Sequence, residues 1–187
     1  NGAYKALLYT DFFPRKGKRP GAWMTSFKGQ YIDAQGNHRP HISIVCNFSR
    51  PVGATPSLLT FMEVTTLFHE FGHALHGMLA NTHYESLSGT NVFWDFVELP
   101  SQFMENYCYD KAFLQSFAKH YLTGEALPEE WIDRLVASAN FMQGYQTMRQ
   151  LGFGILDMAY HSNQFTEQHA VEAFETQILA DTQLYPK

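Results

Sequence analysis

The stretch TLFHEFGHALHGM, residues 66–78, constrains the chain more than any other. His69 and His73 lie four apart, and Glu70 directly follows the first. On a helix that spacing stacks both imidazoles on one face. Such a pair can share one zinc ion. Zinc lowers the pKa of a bound water to about 7, and an adjacent carboxylate, here Glu70, can take the proton as attack proceeds. General-base help of this kind is typically worth about 10²–10⁴-fold in rate. The stretch therefore asks for a long helix packed against an element that brings a further ligand, because catalytic zinc usually has three protein ligands plus water.

The next ligand is not on the same helix in the His-Glu-x-x-His-x-x-Gly-x-x-His manner, since His76 and Leu79 occupy the Gly and third His positions. DFVELPSQFMENY, residues 95–107, offers Glu98. Asp95 can cap a helix starting there, which puts Glu98 in its first turn, and Pro100 predicts a kinked backbone. Spacing alone leaves two readings of Glu98: a third metal ligand, or a capping-box glutamate at N3 after Asp95. His76 reads as a helix histidine before it reads as a ligand. His83 and Tyr84 follow the helix and can line a cleft. His38, His41, His120, His161 and His169 are isolated, with surface or packing roles expected. Glu63, Asp95 and Glu105 are candidate partners for the far N–H of a metal-bound imidazole.

The remaining chain supplies the scaffold. Up to about residue 50 it reads as short strands and turns: AYKALLYTDFF (3–13), a basic turn PRKGKRPG (14–21) expected to be solvated, AWMTSFKGQYI (22–32), and the turn DAQGNHRP. HISIVCNF (41–48) alternates, with Ile42, Ile44, Cys46 and Phe48 on one side and His41, Ser43, Val45 and Asn47 on the other, as a half-buried strand does. After residue 50 the pattern is helical. Thr55 as N-cap and Pro56 at the first position predict one long helix to about Ala80, ended by Asn81 and buried on most sides. Further helices are expected near 95–110, 111–122, 128–141, 143–161 and 167–182. The fold class is mainly α with a small N-terminal mixed sheet, α+β.

Hydrophobic residues make up 45% of the 187 and aromatics 16%, enough for a globular core. A net charge of −5 argues against nucleic acid as a partner. No run reaches the about 20 apolar residues of a membrane helix. Cys46 and Cys108 lack any C-x-x-C spacing and read as small buried apolar residues.

The blocks HEFGHALHGM, SLSGTNV and DFVELPSQFMENY, in that order and with LLYTDFFPRKGKRPGAW and CNFSRP upstream, resemble the thimet oligopeptidase family of zinc metallopeptidases, which includes oligopeptidase A and peptidyl-dipeptidase. The resemblance implies a zincin-like catalytic region in which His69, His73 and Glu98 hold one Zn²⁺ per chain and Glu70 is the general base. It also implies a peptide lying along an edge strand near the metal. HISIVCNF would fill that role, with Ser43 and Val45 as substrate-binding residues and Gly89, in SLSGTNV, close to the cleft. Thr65 stands where many members carry glutamate, which puts one contact around the first histidine in doubt. Members are several times longer. They carry an N-terminal helical half that walls a channel, and a downstream Gly- and Tyr-rich segment that stabilises the oxyanion. Only Gly144-Tyr145 hints at such a segment here.

These readings predict a catalytic-region fragment spanning 1–187, with the sheet in 1–50 and a helical body in 55–187. It is expected to bind zinc, to cleave peptides weakly or not at all alone, and to self-associate through uncovered apolar surface. Its expected partners are short peptides and the missing parts of its own longer chain, with no nucleic acid and no membrane. DFVELPSQ and GKRPGAW read closer to peptidyl-dipeptidases than to internal-cleaving members. The alternative is a noncatalytic helical module with a structural zinc site, but three nameable ligands without cysteine beside a base fit an open site better. A cytoplasmic location is expected, with periplasmic and secreted ones left open because the chain opens on Asn1 and not on Met.

Overall fold

The alternating segment HISIVCNF becomes the middle of the sheet. A computed structural model describes residues 2–162, 165–166, 170–183 and 185. Five strands come first: β1 (Leu7–Asp11), β2 (Trp23–Lys28), β3 (Tyr31–Asp33), β4 (Gly36–His38) and β5 (His41–Val45). Seven α-helices follow among the described residues: α1 (Phe61–Met78), α2 (Trp94–Val97), α3 (Leu99–Glu105), α4 (Lys111–Phe117), α5 (Glu129–Ala139), α6 (Gln143–His161) and α7 (Val171–Ile178). β5 runs parallel to β1 and antiparallel to β2, so the three-stranded sheet is mixed, and β3 with β4 makes a separate hairpin.

Ile42, Ile44, Cys46 and Phe48 all point into the core, where Ala74 of α1 joins them with Leu67, Phe71 and Met78 alongside. Residues 67, 71, 74 and 78 form one stripe of a 3.6-residue helix, and this stripe lies on the sheet. The helix does not bury every side. Met62 and Leu79 stay largely in solvent, while Phe68 meets Phe113 and Phe117 of α4 at 5.6 and 6.1 Å between ring centroids.

The sheet order corrects the edge-strand expectation. Ser43 is paired between Tyr9 and Thr25, and Val45 between Asp11 and Trp23. With a strand on either side, β5 has no free main-chain row to offer a peptide, and Ser43 and Val45 lose their proposed substrate-binding role. β2 is the strand near α1 that has a neighbour on only one side.

The start of α1 also differs. Thr60, not Thr55, is the N-cap, because residues 52–55 close on themselves through Val52 N to Thr55 O and Thr55 N to Val52 O, both 3.0 Å. Thr60 and Glu63 form a reciprocal capping box, with Glu63 N donating to Thr60 Oγ1 at 3.2 Å and Thr60 N donating to Glu63 Oε2 at 2.7 Å. At the other end the Arg39 guanidinium donates to the carbonyls of Met78 (2.7 Å) and Ala80 (2.9 Å), and the helix stops at Met78, short of Asn81. The basic turn is not wholly solvated. The Lys18 side chain is 3% exposed and its ammonium bonds Asp11 Oδ1, Asp11 O and Phe13 O. Cys46 and Cys108 are free and fully buried, and burial pushes both thiols up to about 11.

The chain divides into two compact units, residues 1–132 and 133–187. α1 packs its apolar stripe on the sheet and falls in the same unit as the strands. In the second unit Tyr160, Phe165 and Phe174 pack as a triangle with centroids 5.1 to 5.2 Å apart. The expected helix at 111–122 ends at Phe117, since Lys119 and Ala126 pair as an antiparallel bridge. That at 167–182 contracts to Val171–Ile178, and His169 lies outside the described residues. No helix among the described residues is long and apolar enough to cross a membrane.

The capping box generates a pH signature. Hydrogen bonds from the Thr60 backbone, then Ser49, hold the Glu63 carboxyl below its ordinary value despite some desolvation. A lowered folded-state value stabilises above the usual glutamate range, and the benefit disappears as pH falls through the folded value. Glu63→Ala, which removes the carboxylate that accepts from the Thr60 and Ser49 N–H groups, is therefore expected to cost about 1 kcal/mol at neutral pH and less in acid, as read by urea unfolding at a series of pH values.

Candidate metal centre

α1 carries a second stripe, away from the sheet. His69, His73 and His76 follow one another along it, with Gly72 beside them. The imidazoles of His69 and His73 meet edge to face with centroids 4.8 Å apart. Opposite them the backbone breaks between α2 and α3 at Glu98, with Pro100 in the first turn of α3. Proline is tolerated there because the first helical N–H groups have no intrahelical acceptor. Asp95 sits exposed inside α2, so the capping-box reading of Glu98 is not realised.

Contact between α1 and α3 is set by Gly72. A Cβ there would lie 2.5 Å from Ser101 Cα and 2.6 Å from Pro100 O, closer than real contacts allow. Bare glycine lets the α3 backbone touch the helix midway between the two histidines. Glu98 is thereby held over them, its Oε2 at 3.2 Å from His69 Nε2 and 3.2 Å from His73 Nε2. One donor atom from each of the three residues falls within 4.8 Å of the others. Ligands about 2.0–2.1 Å from a tetrahedral zinc are separated by roughly 3.3–3.4 Å, which the two 3.2 Å spacings to Glu98 approach. Buried Ser101 steadies the carboxylate, with Oγ 2.8 Å from Glu98 Oε2 and 2.9 Å from Glu98 O.

Of the three candidate imidazole partners, Glu105 is the one in place, its Oε1 2.6 Å from His69 Nδ1. That contact favours the proton on Nδ1 and turns the Nε2 lone pair toward Glu98. Glu63 is occupied by the N-cap of α1 and Ser49. Thr65 turns its hydroxyl back to Met62 O at 2.9 Å. Glu70 is buried, and its Oε2 has no hydrogen-bond partner among the described residues, nor has Nδ1 of His73. Burial chiefly, then the Glu98 charge, raises the Glu70 carboxyl above its ordinary value, partly offset by His69. Burial lowers His73, which favours the neutral imidazole that a metal needs.

These groups floor a cleft of about 480 Å³, within the usual size range of small-ligand sites. Trp23 and Met24 of β2 wall it on one side, and Trp94 and Val97 of α2 also line it. The sequence reading missed these wall residues, whose places depend on sheet order. Gly89 is not a lining residue. Its φ of +58° and the 3.0 Å that a Cβ would leave to Gly77 Cα make it the point where the following loop crosses α1, and its neighbour Thr90 reaches the cleft. His76 stays out of the donor group, edge-on to Phe96 at 5.9 Å. His83 is exposed outside the cleft lining, and His38 bonds Asp33 at 2.7 Å.

The model of peptidase family M3 matches residues 1–184. The chain belongs to peptidase family M3. It is 43% identical over 178 residues to oligopeptidase A of Salmonella typhimurium, covering 94% of this chain and 26% of that protein. Dipeptidyl carboxypeptidase of the same organism is 41% identical over 181 residues, covering 96% and 26%. A probable cytosolic oligopeptidase A of Arabidopsis thaliana is 46% identical over 168 residues, covering 87% and 24%. The chain thus spans about a quarter of the length of these curated relatives.

The Gly72 contact predicts a specific failure. Gly72→Ala leaves α1 a better helix former by propensity, yet forces α3 away from it. The net is an expected loss of about 1–3 kcal/mol, measurable as a lowered urea midpoint, whereas Gly154→Ala, where a Cβ meets nothing within 4 Å, is expected to be neutral or stabilising.

Proposed function

We propose that this region is the zinc-binding part of a zincin-like metallopeptidase that hydrolyses peptide bonds in short oligopeptides. His69, His73 and Glu98 would hold one Zn²⁺. The single observation that carries the reading is the position of one Glu98 oxygen 3.2 Å from both imidazole Nε2 atoms, with a buried, unpartnered Glu70 oxygen beside them. Zinc bound there supplies a Lewis acid that polarises a carbonyl and lowers the pKa of water.

The residues of the chain do the rest. Glu70 accepts a proton as water oxygen attacks the peptide carbon, then delivers it to the departing amine nitrogen as the C–N bond breaks. Its raised pKa suits it to both directions of transfer. Glu105 orients His69 and keeps its Nδ1 protonated. The unpaired side of β2, next to the cleft, takes the part first given to β5, binding an extended peptide by main-chain hydrogen bonds that do not read side chains.

Elemental analysis tests the ligand set. The unmodified chain is expected to hold about one zinc, and His73→Ala and Glu98→Ala to hold none. Zinc retained by both variants, or absent from the unmodified chain, sinks the assignment. Glu105→Gln is expected to keep the site but weaken zinc about 10–100-fold in competition with a chelator. Glu70→Gln should keep zinc at full occupancy while any cleavage of a quenched fluorescent peptide falls about 10²–10⁴-fold, an outcome that a purely structural zinc site would not give.

A further inference from the structure

Trp94 is 93% exposed, an unusual state for the largest apolar side chain. It stands at the start of α2, one helical turn before Glu98, and it lines the same cleft as His69, Glu70 and His73. Trp23, Met24 and Val97 also line that cleft, which carries charge or titratable groups only on its floor. A peptide whose backbone reaches the floor must place a neighbouring side chain against these walls. Two indoles and a thioether offer broad polarisable faces, the Trp23 ring already carrying the Arg19 guanidinium 5.8 Å from its centroid and Trp94 standing open, which favours an aromatic guest over a small one.

We infer that Trp94 is a specificity-determining residue that selects peptides with an aromatic side chain next to the reacting bond, by packing its indole against that ring. The inference rests on the reading of the cleft as a peptidase site. Adjacent Phe93 is a built-in control, since it is 88% exposed but does not line the cleft. A role in covering by some other segment would treat both side chains alike, whereas a role in substrate choice singles out Trp94.

The probes are the hydroxamates Gly-Phe-NHOH and Gly-Ala-NHOH, titrated calorimetrically into the zinc-supplemented chain, with zinc content measured on the same samples. An aromatic pair is worth up to about tenfold in affinity beyond the area it buries, so the unmodified chain is expected to prefer Gly-Phe-NHOH by about tenfold or more. Trp94→Ala should bring that ratio close to one at undiminished zinc content, Trp94→Phe should restore most of it, and Phe93→Ala should leave it in place. A ratio unchanged in Trp94→Ala, or lost equally in Phe93→Ala, overturns the inference. So does equal or absent binding of the two probes to the unmodified chain. Zinc content keeps the two failures apart: a chain that takes up zinc without discriminating defeats only the Trp94 assignment, while one that takes up no zinc defeats the metal-site reading itself.

Discussion

The site depends on one close approach, the backbone of Pro100 and Ser101 lying against Gly72. α1 is held between two neighbours of different character. On one side its stripe of Leu67, Phe71, Ala74 and Met78 meets an apolar sheet face, which anchors it without directing any chemistry. On the other, the α3 backbone comes so near that no side chain fits between. That nearness lets Glu98, rooted at the helix break, reach two imidazoles on the other helix with a single oxygen. A β-carbon at position 72 would separate the two halves of the donor set before it altered any donor.

A second constraint fixes the loop after α1. Gln30 is fully buried, and its side-chain amide is satisfied on both ends: Nε2 donates to Asn37 Oδ1 and Thr82 O, while Oε1 accepts from Thr82 N at 2.6 Å. Its own N–H donates to Ser88 Oγ, and the preceding Gly29 N donates to Glu85 Oε1 at 2.8 Å. A buried amide with every bond made is rigid, because any displacement leaves a polar group unpaired. The loop therefore crosses α1 at one place, where Gly89 meets Gly77, and presents Thr90 to the cleft. β2 and this loop, two walls of the cleft, are tied together by one side chain just past the strand.

Much of this was legible in the residues. The alternation of HISIVCNF gave the correct inward set, and the His-Glu-x-x-His spacing gave the shared face. Pro100 announced the break that releases Glu98 from a regular helix. What sequence could not supply was neighbourhood. Whether β5 sits at an edge or in the centre is decided by where β1 and β2 pair, and its alternation is the same in either case. The N-cap was misplaced for a different reason. Thr55-Pro56 and Thr60-x-x-Glu63 are both plausible starts, and the tight closure of residues 52–55 decides between them. Glu105 could be named as a partner but not chosen over Glu63 and Asp95, since the choice depends on how far α3 turns before it ends.

The electrostatics of the donor set show why these carboxylates divide their work. Glu105 and Glu98 are partly or largely solvated, and each lies against an imidazole nitrogen, Glu105 on the outer side of His69 and Glu98 between His69 and His73. Glu70 is sequestered on the same helix with an unpartnered oxygen, and desolvation is what raises its pKa. Desolvation there disfavours the charged form of Glu70. The histidines also differ in surroundings, His69 bonded through Nδ1 to Glu105 and His73 shifted toward its neutral form by burial. Three carboxylates and two imidazoles around one small volume thus set one shared oxygen against two ring nitrogens, beside a carboxyl whose proton affinity burial raises. Each assignment follows from burial and hydrogen bonding rather than from residue type.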